Sequence, residues 1–146
     1  MYRNYEVLFP VLEELQIGFV AFSPLANGLL SGAYSQDSTF SEQGDYRKGM
    51  PQFQADSYEK NKPILGLVQR YAEDKNATSA QISLAWLICK KPYIVPIPGT
   101  RKLGRLTENL GAADVMLTTQ EIAEIDKALI DMEMSDVFGG AKIVKK

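Results

Sequence analysis

The strand candidates in this chain are two short segments, Phe19-Val20-Ala21-Phe22 and Ile94-Val95-Pro96-Ile97, and both are apolar runs without alternation. A strand wetted on one face alternates apolar and polar residues, whereas an unbroken apolar run is the pattern of a parallel strand covered on both faces. The chain is therefore expected to hold buried parallel strands. Gly18 precedes the first run and Ser23-Pro24 stops it. Pro96 lacks a ladder donor, which makes the second strand short or leaves one of its positions unpaired.

The rest of the periodicity is helical. Val7, Leu8, Val11, Leu12 and Leu15 recur at helical spacing with Glu13 and Glu14 opposite, and Pro10 falls near the first turn of that amphipathic helix. Residues 26–56 hold Gly28, Gly32, Gly44, Gly49 and Pro51 with no lasting period; 33–56 reads as a long loop, a length usually tied to function or mobility. Ile64, Leu65, Val68, Tyr71 and Ala72 resume the helical period, with Pro63 suited to a first turn or a kink, and the period breaks at Asn76. Thr78 followed by Gln81, and Thr118 followed by Glu121, are capping-box patterns. The first opens a helix with Ile82, Ala85, Trp86 and Cys89 along one stripe, ended by Pro92; the second opens one with Ile122, Ile125 and Leu129 on its buried side. Leu103, Leu106 and Leu110 mark a further helix face, and residues 132–146 read as a C-terminal tail. Helix, strand, long loop, helices, strand, helix, helix is an α/β order with no internal repeat.

Composition removes whole classes of chemistry. The 146 residues are 45% apolar and 23% charged, within the range of one globular domain, and a formal charge of −2 suggests neither nucleic acid nor an anionic membrane as partner. The N-terminus carries no h-region or cleavage pattern and no apolar stretch is long enough to span a bilayer, so the expected location is cytoplasmic. Cys89, alone, makes no intramolecular disulfide and no thiolate-rich zinc site. With no histidine, Ser/His/Asp and Cys/His systems, HExxH zinc sites and imidazole bases are excluded within the chain. No metal site is expected.

Two constellations remain. Pro98-Gly99-Thr100, after a strand and before a helix, presents free N–H groups and a hydroxyl at the positive end of the helix dipole, an arrangement that suits an anion, and Arg101 and Lys102 add charge. Arg105, Glu108 and Asn109 then stand at i, i+3 and i+4, giving one face a cation, a carboxylate and an amide suited to an adenosine and its phosphate. The same three residues also read as a solvated face on which Arg105 pairs with Glu108 or Asn109. In Phe22 to Gly32, an aromatic ending a strand is followed by a hydroxyl and a glycine-bearing turn, where α/β sheets bind ligands; Phe22 as ordinary core is the alternative.

Together FVAFSPLANGLLSG, TSAQISLAWLICKKP and IVPIPGTRKLGRLTENLGAADVMLT resemble, in order and spacing, the C-terminal part of aldo-keto reductases, which are NADP(H)-dependent oxidoreductases on a (β/α)8 barrel. The resemblance covers nearly the whole chain and implies an α/β fold: the C-terminal portion of a TIM barrel, about two parallel strands plus helices, a single partial domain over 1–146 that is incomplete as a barrel. It implies that Phe22 stacks on the nicotinamide, that Ser23, Leu25, Asn27 and Leu29 wrap the pyrophosphate, that Gly99, Thr100, Arg101 and Arg105 form the 2′-phosphate pocket, and that Glu108 and Asn109 hydrogen-bond adenine. Close relatives often carry Gly-Arg where this chain has Ala26-Asn27, so this turn brings no cation. Arg47, Met50, Pro51 and Phe53 resemble a loop that shapes the substrate side of the pocket.

The family's catalytic Asp, Tyr, Lys and His come from the N-terminal half of the barrel, which no segment here matches, so no catalytic residue is assigned. The expected chain is a fragment, a truncated reading frame or one piece of a two-chain assembly, binding NADP(H) if any cofactor and inactive alone. The competing expectation is an oligomerisation or interaction module that keeps the reductase sequence without binding nucleotide. Two strands alone would leave open edges and an uncovered apolar face made by Phe19, Val20, Ala21, Phe22, Ile94 and Val95; self-association, or docking of the missing N-terminal half, is the expected consequence.

Overall fold

The computed structural model describes residues 6–35, 37–40, 43 and 45–136. Residues 137–146, which hold most of the expected tail, lie outside the described residues.

Helix α1 (Phe9–Leu15) leads into strand β1 (Phe19–Phe22). Short 3-10 turns at Ala26–Ser31, Tyr46–Gly49 and Pro51–Phe53 occupy the long connection before α2 (Ala55–Asp74) and α3 (Ser79–Lys90). Strand β2 (Ile94–Ile97), α4 (Leu103–Leu110), a 3-10 turn at Gly111–Asp114 and α5 (Thr119–Asp131) complete the order. The two strands pair in parallel, with Phe19 opposite Ile94 and Phe22 opposite Ile97. Both strands fall where their apolar runs place them.

Cover on both faces does not follow. Ala21 and Ile94 are buried in the core, but Val20 (61%), Phe22 (55%), Val95 (55%) and Ile97 (52%) are exposed. The uncovered apolar face is thus these four side chains, not the six expected; Ala21 and Ile94 belong to the core side and Phe19 is half-buried. Side chains alternate across a strand, and within the described residues helices pack on one side of this two-stranded sheet only. The leucines of α4 behave likewise: Leu103, Leu106 and Leu110 are all exposed, and α4 buries no residue. Helix α1 starts at Phe9, two residues after the expected Val7; Phe9 is buried while Val7 before the helix and Val11 and Leu15 on it face solvent.

The core is organised around α3, in which Ala80 and Ile82 through Leu87 are all buried. Its sequence stripe is wider than expected because α2, β2, α4 and α5 all pack on it. Both capping boxes form: the Thr78 and Thr118 side chains accept from the backbone N–H groups of Gln81 and Glu121, whose side chains accept from the N–H groups of Thr78 and Thr118. Helix α2 begins at Ala55, so Pro63 lies inside it rather than in its first turn. Asp56 to Lys62 are largely polar and carry no apolar period to mark the start. The exposed proline ring costs the helix one hydrogen bond without ending it.

Lys90 ties three elements together. Its Nζ donates to both Asp126 oxygens, at 2.9 and 3.0 Å, pairs with Glu6 and lies 4.5 Å from the Trp86 ring centroid. Trp86 Nε1 donates to the same Asp126 at 2.9 Å. Between α2 and α5, the Lys75 ammonium 2.6 Å from Glu121, together with the capping bond from Thr118, holds the Glu121 carboxyl below its ordinary pKa. A depressed carboxyl contributes stability that is present above the unfolded-state pKa and lost as pH falls through the folded one. Glu121→Gln keeps the capping box but removes the charge. The urea midpoint of the wild type is therefore expected to exceed that of Glu121→Gln at neutral pH, with the gap closing below about pH 4; a gap independent of pH would show that the ion pair contributes nothing.

Candidate functional site

The two constellations meet because β1 and β2 are parallel. Phe22 and Ile97 are register partners, so the turns that follow them, Ser23-Pro24-Leu25 and Pro98-Gly99-Thr100, leave neighbouring strand ends on the same edge of the sheet. Ligands of parallel α/β folds bind outside those carboxyl ends.

The first turn is held in an uncommon conformation. Ser23 (φ 48°), Ala26 (φ 49°) and Asn27 (φ 59°) all occupy the left-handed region, which costs side-chain-bearing residues free energy and concentrates at binding sites. Gly28 follows at φ 99°, where a Cβ would come 2.8 Å from Tyr34 Cε2; both the dihedral and the close ring call for glycine. Asn27 Oδ1 accepts from the Tyr46 hydroxyl at 3.3 Å, while its Nδ2 is buried and, among the described residues, has no hydrogen-bond partner. Buried amide donors are normally satisfied, so this one is poised for an acceptor. Leu25 is half-buried and Leu29 is buried beneath the turn. Phe22, at the root of the turn, offers its exposed ring.

Across the edge, Thr100 Oγ1 accepts from the Lys102 N–H at 3.2 Å and shapes the entry into α4. Gly99, Arg101 and Arg105 are accessible at the start of α4, and Glu108 and Asn109 lie half-buried further along it. Among the described residues Arg105 makes no ion pair, while residues 101–107 are all exposed, as the solvated-face reading has them. Gln81 was not singled out for this role by sequence. It completes the α3 capping box and, through Nε2, also donates to the Glu108 carbonyl at 3.0 Å, pinning α4 to α3. Gly111 permits that approach: a Cβ there would lie 2.5 Å from Gln81 Nε2.

Arg47, Met50 and Phe53 come together next to the first turn, but they are occupied with one another's neighbours. The Arg47 guanidinium lies 4.8 Å over Phe40 and 5.0 Å over Tyr34, donates to Asp45 through Nε at 2.9 Å and bonds the Tyr34 hydroxyl. Asp45 raises the Arg47 pKa and is itself lowered by it, so this pair stays charged. Phe53 packs on Phe40 and Tyr34 at centroid distances of 4.8 and 5.6 Å. Met50 Sδ accepts from Gln52 Nε2 at 3.5 Å, and Pro51 opens a 3-10 turn. This cluster braces the Asn27-Gly28 turn through Tyr34 and Tyr46. Sequence spacing held no signal for it, since its members meet only through the folding of the loop.

Among the described residues no group of three His, Cys, Asp or Glu is placed to hold a metal, and no helix is long and apolar enough to cross a membrane.

Residues 1–130 match the Aldo/keto reductase family. The chain is similar to the aldo-keto reductase str7 of Strobilurus tenacellus, 38% identical over 127 residues that cover 87% of this chain and 38% of that protein. It is similar also to the aldo-keto reductase yakc [NADP(+)] of Schizosaccharomyces pombe, 37% identical over 121 residues, 83% of this chain and 35% of that one. In fold it resembles the glycerol dehydrogenase of Gluconobacter oxydans, with a TM-score of 0.74 at 24% identity over 90% of this chain and 39% of the other. The chain thus spans little more than a third of the length of these relatives, and its two parallel strands with their helices are a portion of their barrel rather than a closed one. On the match across residues 1–130 and the identities to these reductases, the chain belongs to the aldo/keto reductase family.

Proposed function

We propose that this chain is the NADP(H)-binding C-terminal part of a carbonyl reductase and that it turns over no carbonyl by itself. The observation that carries the reading is the juxtaposition at one sheet edge of the exposed Phe22 ring, the turn with Ser23, Ala26 and Asn27 in the left-handed region and, among the described residues, an unpartnered Asn27 Nδ2, and the accessible Arg101 before α4 and Arg105 on it. The residues fit the group. Phe22 would lie against the nicotinamide, Ser23, Leu25, Asn27 and Leu29 along the pyrophosphate, Gly99, Thr100, Arg101 and Arg105 around the 2′-phosphate, and Glu108 and Asn109 beside adenine. The bound cofactor supplies the hydride. This chain's own contribution is to bind and orient, because it has no histidine and no assigned proton donor.

A charge-assisted hydrogen bond contributes roughly 1.5–3 kcal/mol when well placed, so NADPH should bind more tightly than NADH, and Arg105→Ala should erase about tenfold or more of that preference. Calorimetric titration of both nucleotides measures it, and a broad aldehyde panel with NADPH should show no turnover. Equal affinity for NADPH and NADH before mutation would overturn the assignment.

A second reading, an association module that keeps the reductase sequence without nucleotide, is supported by the exposed Val20, Phe22, Val95 and Ile97. Self-association with no measurable NADPH binding would favour it.

A further inference from the structure

Little apolar packing fixes α4 in place: it buries no residue, and Leu103, Leu106 and Leu110 face solvent. Polar contacts hold it near both ends. At the start, Thr100 Oγ1 accepts from the Lys102 N–H. At the far end, Gln81 Nε2 donates from α3 to the Glu108 carbonyl at 3.0 Å. Glu108 stands in the last turn of α4, and a helix leaves its last four carbonyls without intrahelical donors. The other end of the same amide is fixed as well, because Gln81 Oε1 accepts from the Thr78 N–H at 2.9 Å and so aims Nε2 at α4.

The amide is seated against Gly111. That residue has an ordinary right-handed backbone, φ −61° and ψ −12°, which alanine adopts at lower cost than glycine. Its dihedrals do not call for glycine; space does, since a Cβ would stand 2.5 Å from Gln81 Nε2. A helix-compatible position left without a side chain where this amide passes marks the contact independently of the hydrogen bond. We propose that Gln81 is a positioning residue for the adenine end of the site: seated in the notch at Gly111, its amide fixes the last turn of α4 and holds Glu108 and Asn109 against the base. The proposal rests on the nucleotide reading above and adds to it a residue that acts through α4 rather than on the ligand.

Two substitutions reach this bond from opposite sides. Gly111→Ala puts a methyl where the amide lies; the amide ends a flexible side chain, so it swings away while both helices stay. Gln81→Glu keeps an acceptor for the Thr78 N–H, as Glu121 does for Thr118, but replaces the donor with an oxygen that repels the Glu108 carbonyl. In calorimetric titrations of the full chain, each should weaken NADPH and NADH alike by about fivefold, the effect of losing one hydrogen bond. The ratio between the two nucleotides should not change, because adenine is common to both and the start of α4 keeps its own contact. Simple repulsion by the new carboxylate would instead fall harder on NADPH, which carries the extra phosphate. In a Gln81→Ala background, Gly111→Ala should add no further loss, since no amide remains for the methyl to displace. Thr78→Ala removes the hydroxyl of the cap but not the N–H that orients Gln81; it should lower the urea midpoint and leave both affinities at the wild-type value. If Gly111→Ala fails to fold, Gln81→Glu and Gln81→Ala decide. Affinities changed by less than about twofold in the folded variants, or affinities that fall in step with the urea midpoint across the series including Thr78→Ala, would overturn the positioning role and leave the nucleotide reading standing. A wild type that binds neither nucleotide overturns that reading and this assignment with it.

Discussion

Light scattering on freshly purified chain is expected to return a mass of at least twice 16.2 kDa, rising with concentration. The reason is the uncovered face of the sheet: Val20, Phe22, Val95 and Ile97 stand side by side across two paired strands, each more than half exposed. Leu103, Leu106 and Leu110 on α4, Val11 and Leu15 on α1 and Val7 just before it add exposed apolar side chains elsewhere. Removing apolar area from water is worth roughly 25 cal/mol per Å², and monomers seldom expose contiguous apolar patches beyond a few hundred Å². The two outer edges of a two-stranded sheet also invite further strands. A symmetric dimer joined at these faces is the simplest outcome, and the remaining portion of the barrel, supplied as a second chain, should compete with it. Placing charges on the face with Val20→Lys and Val95→Lys together should shift the mass toward 16.2 kDa without loss of helical circular dichroism. A monodisperse wild-type monomer at every concentration would refute the prediction and would mean that these side chains are tolerated in water.

Leu84→Ala should lower the stability of the fold by about 2–5 kcal/mol, a factor of about thirty to several thousand in the folding equilibrium. Leu84 is 1% exposed in the middle of α3, the helix on which α2, β2, α4 and α5 converge, so the void left by truncation has rigid walls on several sides. Ile88, one turn later on the same helix, is exposed, and Ile88→Ala should cost under about 1 kcal/mol. Urea unfolding of both variants at one fixed protein concentration makes the comparison, because association would otherwise shift the midpoints. Equal losses from Leu84→Ala and Ile88→Ala would show that α3 is not the centre of the core.

The features that could be read directly from the chain are those whose causes lie within a few residues. Thr78 with Gln81 and Thr118 with Glu121 form their capping boxes because donor and acceptor are three residues apart, whatever surrounds them. The strands at 19–22 and 94–97 follow from β-prone apolar runs bounded by turn formers. The order of elements and the residues on the two strand-end turns were legible for the same reason, and the family resemblance carried by those segments agrees with the match over residues 1–130.

Burial and contact were not legible, because each depends on what another part of the molecule places opposite. Val20 and Ala21 are adjacent and equally apolar, yet one is exposed and the other 2% exposed, since helices lie on only one side of the sheet. Arg47 lies in the loop that resembles one on the substrate side of the pocket, and only the folding of that loop places its guanidinium over Tyr34 and Phe40 and pairs it with Asp45. Gln81 reads as a capping residue, and only the docking of α4 gives it the Glu108 carbonyl as a second partner. Asp56 to Lys62 carry no apolar stripe, so the first half of α2 is fixed by continuity with its packed second half rather than by its own pattern. Short-range backbone chemistry, which the sequence holds within a turn or two, thus determined where the two capped helices and the two strands of this protein begin and which residues the strand-end turns present. Tertiary packing alone decided which faces are dry and which charges are spoken for, because those outcomes are set by atoms far apart in the chain.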